Sequence, residues 1–228
     1  MSLLLEARSL TKEYKRGDRP FLAVDDVSLQ VETGEFACIV GHSGSGKSTL
    51  LNMLAGMASP TSGAVVFMGR DYSAMTDGEL SRQRGSKIGY IMQGHCVLPN
   101  FTVSQNVMIP NYFHNSSLHP EGRASLLLEK TGIGHLASQY PSNLSGGELR
   151  RVSIARSLFS APDLLIADEP TGDLDAETTA EIMALFSSIR EEGTSILMVT
   201  HELDLLQGVD RRYVMESGRL MEMKVSGA

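Results

Sequence analysis

Four short segments of the chain are apolar and rich in β-branched residues: Glu35–Val40, Ile88–Met92, Leu164–Ala167 and Ile196–Val199. Several run continuously apolar instead of alternating, the pattern of strands covered on both faces of a parallel sheet. Each ends on a residue able to do chemistry: Gly41, Gln93, the pair Asp168–Glu169, and His201. Open parallel sheets bind ligands beyond the carboxyl ends of their strands, so these termini predict one site along a single sheet edge. The N-terminal third has another rhythm. Leu3–Leu10, Ala23–Val31 and Ala64–Met68 are strand-like and separated by turns at Gly17, Thr33–Gly34 and Pro60–Gly63. They predict a small antiparallel sheet beside the core. Between Gln93 and Leu144 the strand signal fades. Glu121–Lys130 reads as a helix, with Pro120 near its start and Gly132 just after it. The predicted class is α/β, with a nucleotide-binding core from 1–93 and 157–228 and an inserted, mostly helical lobe over 94–156.

Composition narrows the possibilities. With 228 residues, 42% apolar and 21% charged, the chain has room for one globular domain and needs no disulfide or metal staple. Its two cysteines, Cys38 and Cys96, make neither a framework nor a zinc cluster, and a reducing compartment is expected. A net charge of −7 argues against nucleic-acid binding, which needs a clustered basic surplus. The densest basic stretch, Lys12 to Arg19, sets Lys12, Lys15, Arg16 and Arg19 against Glu13 and Asp18 and reads as a solvated turn. The three leucines at the start meet Glu6 too soon for a signal-peptide core. No apolar run approaches the ~18 residues of a membrane span. A cytoplasmic chain is expected.

The chemistry begins with GHSGSGKST, where Gly41, Gly46, Lys47 and Ser48 fit G-x-x-x-x-G-K-[ST]. The candidate binding residues are Gly41, His42, Ser43, Gly44, Ser45, Gly46, Lys47, Ser48 and Thr49. A buried strand precedes the loop, and an amphipathic helix follows with Leu50, Leu51, Leu54 and Met57 on one side. Glycines let backbone N–H groups close on phosphate oxygens at a helix N-terminus. Lys47 would reach the β- and γ-phosphates, and the Ser48 hydroxyl would bind Mg²⁺. The pattern predicts a P-loop NTPase core. Asp168 and Glu169 close the strand at Leu164–Ala167 and point opposite ways. Asp168 suits the Mg²⁺ shell and Glu169 suits polarising an attacking water; alone, the pair reads equally as a helix N-cap before Glu177–Arg190. A second glycine-rich helix start, Ser145, Gly146, Gly147 and Glu148, precedes a helical face of Leu149, Val152, Ala155 and Phe159. It is either another anion site or an ordinary helix start. His201 either senses the γ-phosphate or is structural, and Tyr14 either stacks on a base or packs.

Taken in order, GHSGSGKST, Gln93, LSGGE, LLIADEP, TGDLD (Thr171–Asp175) and His201 resemble the ATP-binding subunit of an ABC transporter, across essentially the whole chain. LPNFTVSQNV (Leu98–Val107), YPSNLSGGE (Tyr140–Glu148) and ADEPTGDLD (Ala167–Asp175) look like the branch containing lipoprotein-release, macrolide-efflux, antimicrobial-peptide-resistance and cell-division ATPases. The resemblance implies ATP and Mg²⁺ as cofactors. It also implies a head-to-tail sandwich, each nucleotide lying between the Gly41–Thr49 loop of one copy and Ser145–Glu148 of the other. It further implies that Tyr14 stacks on adenine, Gln93 touches Mg²⁺, Glu169 is the general base, His201 holds the γ-phosphate and Asp175 lies at the subunit contact. Catalytic roles therefore fall to Glu169, His201 and Lys47, and metal contacts to Ser48, Gln93 and Asp168.

The expected function is an ATPase that drives a separate integral membrane permease and sits peripherally on the inner face of the membrane. A regulator of the cell-division kind, gated by ATP but moving no substrate, shares the same motifs. The permease is expected to dock near 94–110, where the chain departs from its branch at Gly94-His95-Cys96 and at Gln105-Asn106-Val107. There Cys96, Val97, Leu98, Phe101, Val103 and Val107 either fill the lobe's own core or are left as a groove for a partner helix.

Overall fold

A computed structural model describes residues 2–17, 19–94, 96–114, 118–206 and 208–223. Asp18 of the basic stretch and His95 lie outside the described residues. In chain order the elements are β1 (Leu3–Arg16), β2 (Arg19–Glu32), β3 (Phe36–Val40), α1 (Lys47–Leu54), β4 (Ser62–Phe67), β5 (Arg70–Asp71), α2 (Asp77–Lys87) and β6 (Ile88–Ile91). They continue as α3 (Val103–His114), α4 (Pro120–Lys130), α5 (Gly146–Ser157), β7 (Leu164–Asp168), α6 (Ala176–Glu191), β8 (Ser195–Thr200), β9 (Arg211–Glu216) and β10 (Arg219–Met223).

The six-stranded sheet has the order β10-β9-β3-β8-β7-β6. All its neighbours are parallel except the β9–β10 hairpin. Register sets the site. Val40 pairs with Thr200, Asp168 with Val199 and Ile91 with Ala167, so β3, β8, β7 and β6 finish level with one another. The single-edge prediction rests on this alignment.

Period-two alternation divides the core. Phe36, Cys38, Val40, Leu165, Ala167, Ile196 and Met198 face the helical layer, which supplies Val107, Leu128, Ile154 and Phe186. Ala37, Ile39, Leu164, Ile166, Leu197 and Val199 face the other way, against Leu50, Leu51 and Leu54 of α1 and the N-terminal sheet. That second sheet, ordered β2-β1-β4-β5, is antiparallel as predicted. Burial on both faces explains why the central strands lack polar alternation.

Three local features differ from the sequence reading. Met57 does not belong to the apolar face of α1: Gly56, at φ 68°, stops the helix after Ala55, and Met57 is exposed. The helix α2 is not among the predicted elements, although Thr76 and Glu79 form a reciprocal capping box at its start. Nor is the β9–β10 hairpin, which turns through Ser217 and Gly218, both at positive φ, as a two-residue turn requires. Cys38 and Cys96 are both free. No helix among the described residues is long and apolar enough to cross a membrane.

Candidate nucleotide site

The level strand ends open onto a cavity of about 680 Å³. Its floor is the loop between β3 and α1, where His42, Ser43, Gly44 and residues 46–49 line the space. Two glycines are obligatory there. A Cβ at Gly41 would strike the Met215 carbonyl, and one at Gly46 the Ala23 carbonyl. Gly46, at φ 106°, also starts α1 without a side-chain cap, so the helix amides face the cavity. The loop is anchored from beyond β9, with the Gly218 N–H donating to the Ser45 carbonyl at 3.0 Å. Lys47, 5% exposed, donates from Nζ to the carbonyls of Gly41 (2.6 Å) and His42 (3.1 Å).

Beside the loop, Glu169 gathers the polar groups. Its Oε2 accepts from Gln93 Nε2 at 3.0 Å and lies 3.5 Å from His201 Nδ1, while its Oε1 is 3.6 Å from Lys47 Nζ. Three strand ends and the loop lysine thus meet on one carboxylate. Glu169 stands at φ 47°, a left-handed conformation costing a non-glycine residue roughly 1–3 kcal/mol. The strain is held by its N–H, which donates to the Val199 carbonyl at 3.0 Å. Asp168 is only 5% exposed, and its Oδ1 has no partner among the described residues. Burial pushes its carboxyl pKa up; the Ser48 hydroxyl and Lys47 pull against that, and Glu169 adds to it. Neither acid caps the following helix. Asp175 does, accepting from the Thr178 N–H at 2.9 Å.

The far end of the cavity is aromatic. Tyr14 and Phe21 are register partners across β1 and β2, with ring centroids 5.9 Å apart, and Lys12 Nζ lies 5.3 Å from the Tyr14 ring. Phe21, Leu22, Ser217 and Gly218 also line this end and were not among the predicted residues. The Tyr14–Phe21 pairing was findable only by registering the first hairpin.

Ser145, Gly146, Gly147 and Glu148 do not line this cavity. Ser145 caps α5: its Oγ accepts from the Glu148 N–H at 3.3 Å, and the Glu148 carboxylate accepts from the Ser145 N–H at 2.7 Å. Those bonds hold the Glu148 pKa down. Gly147 packs so closely on α6 that a Cβ would sit 2.7 Å from Thr178 Cγ2. One chain therefore carries two glycine-rich helix starts and brings only the first to its own cavity.

Comparison with known proteins agrees with this geometry. The protein family described as ABC transporter matches residues 24–172. The lipoprotein-releasing system ATP-binding protein LolD of Xanthomonas campestris pv. campestris (strain 8004) is 40% identical over 225 residues, covering 98% of this chain and 94% of that protein. Among solved structures, the dimeric post-hydrolysis state of the ATP-binding cassette MJ0796 bound to ADP and Pi superposes with a TM-score of 0.91 at 33% identity, covering 99% of this chain and 100% of that one. A nucleotide-free ATP-binding cassette from an ABC transporter gives 0.82 at 26% identity, covering 96% and 90%. Sequence and fold agree over nearly the full length, and the chain belongs to the ABC transporter family as an ATP-hydrolysing cassette.

Proposed function

We propose that this cassette hydrolyses ATP with Glu169 as general base, and that two copies close on two nucleotides to drive a membrane permease handling lipoproteins or similar amphipathic cargo. The observation carrying this reading is the Glu169 carboxylate held between Gln93, His201 and Lys47. A base so placed accepts the proton of the attacking water, while Lys47 and the loop amides hold the phosphates. His201 orients the γ-phosphate. Tyr14 and Phe21 offer ring faces to adenine. Ser48, Asp168 and Gln93 fit a divalent cation, since the unpaired, buried Asp168 Oδ1 beside the Ser48 hydroxyl is an oxygen in want of a partner. Among the described residues no group of three His, Cys, Asp or Glu side chains could hold a metal ion, so phosphate and water would supply the remaining ligands. Mg²⁺ there would neutralise charge on the phosphates.

Ser145–Glu148 serve the nucleotide of the second copy, with Asp175 at the contact. The core is assigned to 1–93 and 157–228 and the helical lobe to 94–156. The lipoprotein assignment follows the name of the LolD relative. A permease partner would hold the cassette peripherally on the inner face of the membrane.

At the aromatic end, base stacking is worth roughly 1–3 kcal/mol. Tyr14→Ala and Phe21→Ala should each weaken ATP binding about tenfold with kcat largely kept. Titration with a fluorescent ATP analogue checks this, and unaltered affinity in both variants would leave the rings without a role.

The permease is expected at the start of the helical lobe. Val103 and Val107 are fully buried, so they are core; Leu98 and Phe101 remain 43% and 37% exposed. The buried Asn106 pins their loop, donating to the carbonyls of Leu98, Phe101 and Thr102. Gln105 accepts from the Thr102 N–H at 2.9 Å, so α3 keeps a capping box despite the departure from its branch. Leu98→Glu and Phe101→Glu alter exposed side chains and should preserve melting temperature and basal ATPase. At least one should abolish co-purification with the permease. Retained binding in both would move the docking surface elsewhere.

A further inference from the structure

Arg150 is 2% exposed and belongs to α5, five residues beyond the Ser145 cap. Its Nη1 donates to the carbonyls of Met92 (3.2 Å) and Gly94 (3.3 Å), the residues on either side of Gln93. From the same helix Arg156 Nη1 donates to the Cys96 carbonyl at 2.7 Å. Carbonyls 92, 94 and 96 are therefore gripped by α5, while the Gln93 side chain reaches Glu169. The arrangement is costly. Arg150 Nε is buried with no partner among the described residues, and burial lowers the guanidinium pKa against the opposing fields of Cys96 and Asp173. An apolar side chain of similar volume would fill the space without that desolvation, so packing alone does not account for an arginine here.

We propose that Arg150 is a positioning residue for hydrolysis, linking the helix start at Ser145 to Gln93, and through it Glu169, of the same chain. The inference rests on the reading of Glu169 as base and of Ser145–Glu148 as the half-site for the second nucleotide. α5 moves as a rod, and Arg150 lies only about 7.5 Å along it from Ser145. A shift of the helix on meeting the second copy's phosphate is thus delivered to the carbonyls of Met92 and Gly94 on either side of Gln93. Engagement of one nucleotide sets the geometry at the other.

The chain carries its own reporter of that segment. Cys96 is partly exposed and its Sγ lies 3.9 Å from the Gln93 carbonyl. Cys38 is fully buried, its thiol pushed up to about 12 by burial, and will not compete for a thiol reagent. In the full chain a non-hydrolysable ATP analogue should slow reaction of Cys96 with an aromatic disulfide reagent. Arg150→Met should lose that protection and about tenfold or more in kcat, with KM unchanged, as expected for a misplaced catalytic group. Arg150→Lys, keeping the charge and a donor, should recover most of both. If Arg150→Met melts below the assay temperature, Arg150→Gln takes its place with the same expectation. Equal nucleotide protection in the wild type and the uncharged variant overturns the proposal. So does a Lys variant no better than the uncharged one, which would leave Arg150 as fold support. Glu169→Gln run alongside judges the underlying reading separately: full turnover there removes the hydrolytic centre, while the thiol readout, which needs no hydrolysis, still decides Arg150.

Discussion

Glu169→Gln should bind ATP as the wild type does and lose roughly 10²–10⁴-fold in turnover, the usual contribution of a general base. The substitution is nearly isosteric. The amide still fits the left-handed position at φ 47°, and its oxygen still accepts from Gln93 Nε2, now at 3.0 Å from Glu169 Oε2. Only the charge and the basicity go. Lys47, 3.6 Å from the carboxylate, loses a competing anion and remains free to attend the phosphates, so affinity should hold or rise. If hydrolysis opens the proposed sandwich, size-exclusion chromatography with ATP should show the variant trapped as a dimer. Phosphate release measured under saturating ATP, with binding measured in parallel, separates the two effects. Near-normal phosphate release would remove Glu169 from its role.

The parts of this site legible in the sequence were those in which a single segment carries its own constraint. The run Leu164–Ala167 followed by two acids needs no knowledge of its neighbours to read as a buried strand with chemistry at its end. The Gly41–Thr49 loop is likewise local, since a strand, glycines and a helix start dictate its backbone. What escaped depends on register or on tertiary contact. Phe21 enters the cavity because it pairs with Tyr14 across the first hairpin. Gly218 does so because the β9–β10 turn reaches back to the Ser45 carbonyl. The Asp168–Glu169 pair was ambiguous from the chain alone, and the cap at Asp175 is what removes the helix-cap alternative. Arg150 gave no signal, because a charged residue on an amphipathic helix is ordinarily solvated and only the fold turns it inward.

Ser145→Arg should abolish ATPase activity while leaving ATP binding to the isolated chain intact. The reason is spatial. Tyr14, the Gly41–Thr49 loop, Gln93, Glu169 and His201 gather at one cavity, and Ser145 is absent from its lining. Damage at Ser145 therefore cannot weaken a nucleotide bound by the same chain. In the proposed sandwich it obstructs the nucleotide presented by the second copy. The substitution also removes the cap formed with Glu148, a loss of about 1 kcal/mol. A thermal melt and circular dichroism should show a folded variant with α5 slightly weakened, a cost far too small to explain complete loss of turnover. In the wild type the proposed sandwich, in which each site is completed by a second copy, requires the rate per chain to rise with protein concentration and level off as the dimer saturates. Assays across a wide dilution series, with mass measured by light scattering at each concentration, test this directly. A constant rate per chain from a proven monomer, or full activity in Ser145→Arg, would mean that one cavity hydrolyses alone, and the second helix start would then be an ordinary capped helix.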